Sequence, residues 1–469
     1  MTSFAQTIYW RSPQVVKEVF AWCNAWRLDR LRHGLDYRQA IKQIHSRDLW
    51  SAEQFRDYQQ GQLTALLAHA RQHVPYYEQS LAGIDLAAIT PDNLARLPIL
   101  TKEVVRANPL ALVDRRLDPG KLIVMHTSGT TGTPLRLFRD VALNSTAFAY
   151  VDARCREAFT RRRAGMRRAV NSSVTIGGNL VAAPGRSKPP FWVYNGRWKQ
   201  LYMSSYHLSA RNLPHYVQAM RRYACDYIEG YPSSLYAVAR HIIDNRLTPV
   251  TFKCAFTTAE TLLEHQRGAI EQAFGCRLYD QYGAGEMCVL AAECEAGSMH
   301  ISPDYGIVEV VDNAGLPVPA GTRGHLVCTS LVNFVQPFIR YRVGDIGAIA
   351  AAPCECGSSL PVLAQLEGRV DSVLMTRDGR PIGRLDPVFK GAQGIAEAQI
   401  VQDDFERFRV RIVPGADYKP KHGQAVVEAL AHRVGAAAIS LELVEQIERT
   451  AAGKFKAVVC NIPTAVGGV

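Results

Sequence analysis

Hydrophobic and polar positions change their spacing along the chain in a way that marks three regions. Up to about residue 97 the apolar positions recur at helical spacing, as in Leu63, Leu66, Leu67 and Ala70, which predicts a helical N-terminal region. Trp10, Val15, Val19, Phe20 and Trp22 form the apolar face of a short helix there. Its expected role is packing on the main domain, with contact to a membrane surface as the alternative. Beyond residue 120, short β-type runs alternate with helical ones. Residues 122–125 and 254–256 read as strands, and Leu235, Val238, Ala239 and Ile242 as one helical face. Each such element has one side to bury, so the alternation predicts a large layered α/β domain.

The last hundred residues read as a separate unit. Phe408, Val410 and Ile412 alternate with Arg407, Arg409 and Arg411, the period of a strand with one wet face. A helix over 424–434, ended by Gly435, and a strand over 440–444 complete a small α+β domain. The polar, turn-rich segment 368–380, with Arg377-Asp378-Gly379-Arg380, marks the boundary, so the expected division is 1–370 and 371–469.

Composition narrows the class. With 47% hydrophobic and 21% charged residues among 469, the chain is expected to be an ordinary globular protein. No apolar run reaches the length of a membrane-spanning helix, and Arg11, Lys17 and Glu18 break up any signal peptide. A cytoplasmic location follows as an expectation, with the 11 cysteines as reduced thiols or metal ligands. The net charge of +11 suits polyanionic ligands such as nucleotides, coenzyme A or an acidic carrier protein. Basic residues are scattered apart from 161–163 and 167–168, so no nucleic-acid partner is expected.

The most informative stretch is His126-Thr127-Ser128-Gly129-Thr130-Thr131-Gly132-Thr133-Pro134. Glycines let backbone N–H groups turn around phosphate oxygens, and hydroxyls add donors. It lacks the Gly-Lys-Ser/Thr ending of the common NTPase loop, and Arg136-Leu137-Phe138 resumes as a strand rather than a helix. On composition alone a phosphate cradle and a flexible turn both stay open.

The order of residues from Thr127 to Pro134 resembles the phosphate loop of the adenylate-forming superfamily of acyl-CoA ligases, adenylation domains and luciferases. Four further strings resemble its motifs in the right order: Tyr282-Gly283-Ala284-Gly285-Glu286, Tyr341-Arg342-Val343-Gly344-Asp345, Gly368-Arg369-Val370-Asp371 and Thr450-Ala451-Ala452-Gly453-Lys454. Tyr231-Pro232-Ser233 and Ala398-Gln399-Ile400-Val401-Gln402 are similar to the phenylacetate-CoA ligase-like branch, which includes capsule and exopolysaccharide biosynthesis members. Two positions depart from the pattern: Leu135 stands where lysine is frequent, and Gly285 where threonine or serine is common.

The resemblance implies the acyl-adenylate synthetase fold, a large N-terminal domain with a small mobile C-terminal one. It implies attack of the carboxylate of an aryl or acyl acid, aromatic acids being favoured by the branch, on the α-phosphorus of ATP, releasing pyrophosphate, then transfer to coenzyme A. The alternative acceptor is an amine or a phosphopantetheinyl carrier protein. Nucleotide contacts are implied at Thr127, Ser128, Gly129, Thr130, Thr131, Gly132, Ala259, Glu260, Asp280, Tyr282, Gly283, Asp345 and Arg369. Tyr282 would stack on adenine and Asp345 would accept from the ribose hydroxyls. Glu286 would hold magnesium, and Lys454, with Thr131 and Glu286, would be catalytic. Asp371 is the implied hinge, and Tyr231, Pro232 and Thr258 the implied acid pocket.

Cys294 and His300 follow the second motif, and Cys354-Glu355-Cys356-Gly357 the third. Three thiolates and an imidazole would close a tetrahedral structural zinc site, like clusters in the branch it resembles. Buried unligated cysteines are the other reading.

Overall fold

The computed structural model describes residues 4–126, 135–157, 172–367 apart from 180, 184, 185, 210, 261 and 263, and 374–462 apart from 376–380, 383–384, 390–393, 416–417, 436 and 449–456. Four helices open the chain: Phe4–Arg11, Gln14–Arg32, Leu35–Ser46 and Ala52–His73. The last begins at a capping box, where the Ser51 hydroxyl accepts from the Gln54 N–H and the Gln54 amide oxygen accepts from the Ser51 N–H. It buries Leu63, Leu66, Leu67 and Ala70, the face that their spacing predicts.

The Gln14–Arg32 helix does pack on the domain, but through another side than the apolar stripe suggests. Val15 and Val19 are 71% and 56% exposed, and Trp22 is also exposed, whereas Lys17 and Ala25 are buried. Polar anchors hold it: Gln14 donates to the Trp192 carbonyl, and the Ala21 carbonyl accepts from Asn195. Spacing alone does not say which side of a mixed helix finds a partner.

Strand β1 (Ile123–His126) pairs antiparallel with β2 (Arg136–Arg139), so the phosphate-loop sequence joins the paired ends His126 and Arg136. Twelve strands then make one sheet. They are β3 (Ser173–Gly177), β4 (Trp192–Asn195), β5 (Gln200–Ser204), β6 (Tyr227–Gly230), β7 (Cys254–Thr258) and β8 (Leu278–Gly283). Then follow β9 (Leu290–Glu293), β10 (Met299–Ile301), β11 (Gly306–Val311), β12 (Gly324–Ser330), β13 (Tyr341–Ile349) and β14 (Val362–Glu367). Their spatial order is β11-β12-β13-β14-β10-β9-β8-β7-β6-β3-β5-β4. Strands β5, β3, β6, β7 and β8 run parallel, and from β8 to β11 every pairing is antiparallel.

Crossovers between parallel strands need helices. Pro232–Asp244 connects β6 to β7 and Glu264–Phe274 connects β7 to β8. The first buries Leu235, Val238, Ala239 and Ile242 against Val174, Ile176 and Ile228 of the sheet. A second core lies around Leu63, Leu67, Tyr77, Leu326 and Tyr341, joining the N-terminal helices to the antiparallel half.

The C-terminal part has its own sheet and core. After a short hairpin of β15 (Leu374–Met375) and β16 (Pro381–Ile382), strands β17 (Ile395–Gln402), β18 (Arg407–Pro414), β19 (Ala438–Leu443) and β20 (Val458–Cys460) pair in the order β19-β18-β17-β20. Phe408, Val410 and Ile412 point inward with Val426 and Leu430 of the Pro420–Val434 helix, which starts four residues earlier than expected and ends at Gly435 with φ +80°. The small unit touches the large one where the Arg433 guanidinium lies 4.9 Å from the Tyr206 ring centroid. Thus the molecule is a large mixed α/β domain with N-terminal helices plus a small C-terminal α/β domain.

Candidate active site

In an open α/β sheet, ligands collect beyond the carboxyl ends of the parallel strands, where loops and helix N-termini converge. The carboxyl ends of β6, β7 and β8 carry Tyr231, Thr258 and Gly283, all three expected site residues. Pro232 starts the helix after β6, and the Ser233 N–H in its first turn donates to Glu260 at 3.1 Å. A carboxylate there complements the positive end of the helix dipole and ties the β6 and β7 ends together. Ala259, beside Glu260, sits at φ +72°, and Met287, beside Glu286, at φ +60°. Non-glycine residues hold such angles only where their surroundings compel them, and both adjoin site carboxylates.

The centre of the site is a crossed arrangement. The Tyr282 hydroxyl donates to Asp345 at 2.8 Å, and the Tyr341 hydroxyl donates to Glu286 at 2.8 Å. Each motif's tyrosine therefore orients the other motif's carboxylate, and β13 supplies one member of each pair. Burial pushes the Asp345 carboxyl up to about 6, with the Glu286 charge adding to it and the Tyr282 hydrogen bond opposing. Burial likewise raises Glu286, against the Tyr341 hydroxyl and the Arg139 charge. Asp280 is pushed up to about 6 by burial, although Thr257 donates to it at 2.7 Å. Asp345 and Glu286, desolvated and close enough to feel each other's charge, mark a place for cations and donors, whereas Asp280 lies beside Glu293 and Arg267.

Reading the sequence missed the partners of these acids. Tyr341 is fully buried, Arg139 donates to the Gly285 carbonyl at 2.6 Å, and Asn333 donates to the Glu286 carbonyl at 3.3 Å. Tyr341 was visible as the first residue of its motif, but its bond to Glu286 exists only across the fold. Tyr341→Phe is expected to cost about 1–3 kcal/mol, because a buried carboxylate loses its donor. Urea unfolding of the two proteins measures this.

Thr127, Ser128, Gly129, Thr130, Thr131, Gly132, Arg369, Asp371 and Lys454 lie outside the described residues. Leu135, which follows the loop, is buried in the core beside Leu137. A lysine there would meet apolar neighbours, so this departure serves packing.

Some distance along the sheet, the ends of β9, β10 and the β13–β14 connection bring together Cys294, His300, Cys354 and Cys356, their ligand atoms all within 4.8 Å of one another. The Cys294 and Cys354 sulfurs are 3.7 Å apart, and Cys356 Sγ lies 3.3 Å from His300 Nε2. A tetrahedral zinc with Zn–S of about 2.3 Å puts sulfurs about 3.8 Å apart, so the set fits that ion. His300 Nδ1 donates to the Leu360 carbonyl at 3.1 Å, which presents Nε2 to the cluster. Gly357 at φ +76° makes the tight turn after Cys356. Burial raises the Cys294 thiol to about 11; for Cys354 hydrogen bonds from Ser298 and the Cys356 N–H outweigh burial and bring it down to about 6.

The chain is similar to several known proteins. A family model described as the CapK C-terminal domain matches residues 374–461. Protein CapK of Staphylococcus aureus is 24% identical over 475 residues, covering 97% of this chain and 99% of that one. A phenylacetate-coenzyme A ligase of Thermus thermophilus is 26% identical over 348 residues, covering 69% and 72%. Among solved structures, 2-hydroxyisobutyryl-CoA ligase with 2-HIB-AMP and CoA in the thioesterification state matches with a TM-score of 0.58 at 22% identity, covering 88% of this chain and 91% of that one. Among the described residues no helix is long and apolar enough to cross a membrane.

Proposed function

We propose, for a chain that belongs to the adenylate-forming superfamily in its CapK and phenylacetate-CoA ligase-like branch, that it activates a carboxylic acid with ATP to an acyl-AMP, releasing pyrophosphate, and passes the acyl group to the thiol of coenzyme A. The observation that carries this reading is the crossed pair Tyr282–Asp345 and Tyr341–Glu286 at the carboxyl ends of the strands.

Attack of a carboxylate on a phosphate brings two anions together, so the site must concentrate cations and donors. Asp345, oriented by Tyr282, accepts from the ribose hydroxyls, and the Tyr282 ring offers adenine a flat surface. Backbone N–H groups and hydroxyls of 127–132, with Thr131 among them, donate to the phosphates, and Arg369 adds charge beside them. Glu286 is the magnesium ligand; when bound, that ion neutralises phosphate oxygens. Its desolvated carboxyl, poor at holding a bare negative charge, gains from a cation. Lys454 neutralises charge on the attacked phosphate, carried by a small domain of 371–469 that turns about Asp371. Cys294, His300, Cys354 and Cys356 hold a structural zinc whose four positions are filled by protein, so it takes no part in the chemistry.

Exchange of labelled pyrophosphate into ATP, dependent on added acid, tests the first half. Adding coenzyme A and finding a thioester tests the second; product only with an amine or a carrier protein would move the acceptor and keep the adenylation. Absence of exchange across a broad acid panel would overturn the reading. The ionisation of Asp345 gives a further expectation. Below about pH 6 its carboxyl takes a proton and stops accepting from two hydroxyls, so the KM for ATP should rise about tenfold at pH 5, where about a tenth of the sites are competent. In Asp345→Asn the KM should be high throughout and this share of the pH dependence lost, leaving the titrations of ATP, Asp280 and Glu286. Equal profiles in both proteins would remove Asp345 from nucleotide binding.

A further inference from the structure

Parallel strands covered on both faces usually read as continuous apolar runs. Strands β3, β5 and β6 do not. Val174, Ile176, Leu201, Met203 and Ile228 form one fully apolar face, packed on the crossover helices. The other face presents Ser173, Thr175, Gln200, Tyr202, Tyr227 and Glu229, and it too is covered, by the Gln14–Arg32 helix and by Phe148 and Asp152. Between that polar face and its cover lies a cavity of about 970 Å³, at the large end for small-molecule sites. Polar groups buried without a purpose are costly.

The walls are built rather than incidental. The Arg156 guanidinium donates to Asp152 and to Glu229, each at 2.7 Å, and the Tyr37 hydroxyl donates to Asp152 at 2.9 Å. Thr175 donates to the other oxygen of Glu229 at 2.9 Å and accepts from Gln200 at 2.7 Å. Arg32 stands apart. Its guanidinium lies 4.7 Å from the Phe148 ring centroid and 5.3 Å from that of Trp198, with Tyr202 as a polar neighbour. Among the described residues no carboxylate forms an ion pair with it; Asp29, the nearest in sequence, bonds Arg197, Trp198 and His33. The cavity therefore offers aromatic faces, a ladder of hydroxyl and amide partners, and a guanidinium that hydrogen-bonds Tyr202 and feels the Asp29 charge without a direct ion pair to it.

The cavity adjoins the strand ends where activation takes place. Glu229 is two residues before Tyr231, and Phe256 two before Thr258. Asn179, on its rim, follows Gly178, whose N–H donates to the Tyr231 hydroxyl at 3.0 Å. A substrate carboxyl at Tyr231 and Thr258 would place the rest of the acid along this polar face.

We infer that the acid activated here is a hydroxylated one carrying a second anionic group, which Arg32 binds, rather than an apolar aryl or alkyl acid. This rests on the adenylation reading above. Its recognition would use paired hydroxyl contacts at Thr175, Gln200 and Glu229, with aromatic rings against the carbon skeleton.

Pyrophosphate exchange with the full chain separates the possibilities. The panel sets hydroxylated dicarboxylates and phosphorylated hydroxy acids against phenylacetate, benzoate and medium-chain fatty acids, and the first two arms tell which anion Arg32 takes. Expected is exchange with a hydroxylated dianionic acid at kcat/KM about 100-fold above any apolar acid, the worth of one or two charge-assisted hydrogen bonds. Arg32→Gln should raise the KM for that acid about tenfold or more, with a much smaller effect for the same acid lacking the second anion. Thr175→Val, a change of similar volume, should raise both, and thermal melting confirms that each variant is folded. Apolar acids exchanging as well as polar ones, or an Arg32→Gln enzyme indifferent to the second anion, would overturn the inference and leave adenylation standing. Exchange with no acid at all would remove both.

Discussion

Replacing Lys454 by alanine is expected to lower acid-dependent pyrophosphate exchange by about 10²–10³-fold while leaving transfer from a supplied acyl-adenylate to coenzyme A within a few fold of the parent. The physical reason is the division of labour. Forming the anhydride requires a carboxylate to approach an α-phosphate, and the ammonium group offsets the repulsion as charge builds at the attacked centre. Transfer to a thiol starts from a mixed anhydride, whose carboxyl carbon is already activated, and no such repulsion remains. The lysine also belongs to the C-terminal segment, beyond the implied hinge at Asp371, so the proposed swing of that segment would withdraw it once the adenylate has formed. The measurement compares the two half-reactions in one preparation of the variant. Equal loss of both would mean that the lysine is structural or serves both steps, and the proposed domain rotation would lose its motive.

The second large effect concerns the Cys3His cluster. The purified protein is expected to contain one zinc per chain by elemental analysis, and Cys354→Ser is expected to lose it and to melt about 10 °C lower or more. Structural zinc contributes several kcal/mol to the folded state, and in a domain of this size each kcal/mol is worth a few degrees at most. The cluster clamps the connection after β13 to the β9–β10 hairpin, and β13 carries both Tyr341 and Asp345. Loosening that clamp should weaken nucleotide binding at a distance, while Cys23→Ser, at an exposed thiol outside the cluster, should change neither zinc content nor melting. A folded, zinc-free parent with unchanged melting after chelation would dismiss the metal and leave four cysteine and histidine side chains simply packed together.

The local motifs were legible because their chemistry is written in consecutive residues. A strand that alternates, as from Arg407 to Ile412, or a helix face such as Leu235, Val238, Ala239 and Ile242, announces its own period, and both elements form where that period places them. The two pairs that make up the Cys3His cluster were legible for a similar reason, since Cys-x-Cys-Gly and a cysteine six residues before a histidine are short patterns. The exposed stripe of Val15, Val19 and Trp22 was not, because a helix with apolar residues on several sides does not declare which one finds a partner. Asn195 and Trp198, far along the chain, make that choice.

By itself, then, the sequence determined the class of site, the order of its motifs and the small terminal domain, since each depends on side chains within a few positions of one another. Only the tertiary structure decided that Tyr282 serves Asp345 and Tyr341 serves Glu286, and that one covered sheet face is polar. Those facts depend on which strands become neighbours and on what packs over them. Charge and burial act through space, and distance through space is the quantity that a linear pattern does not carry.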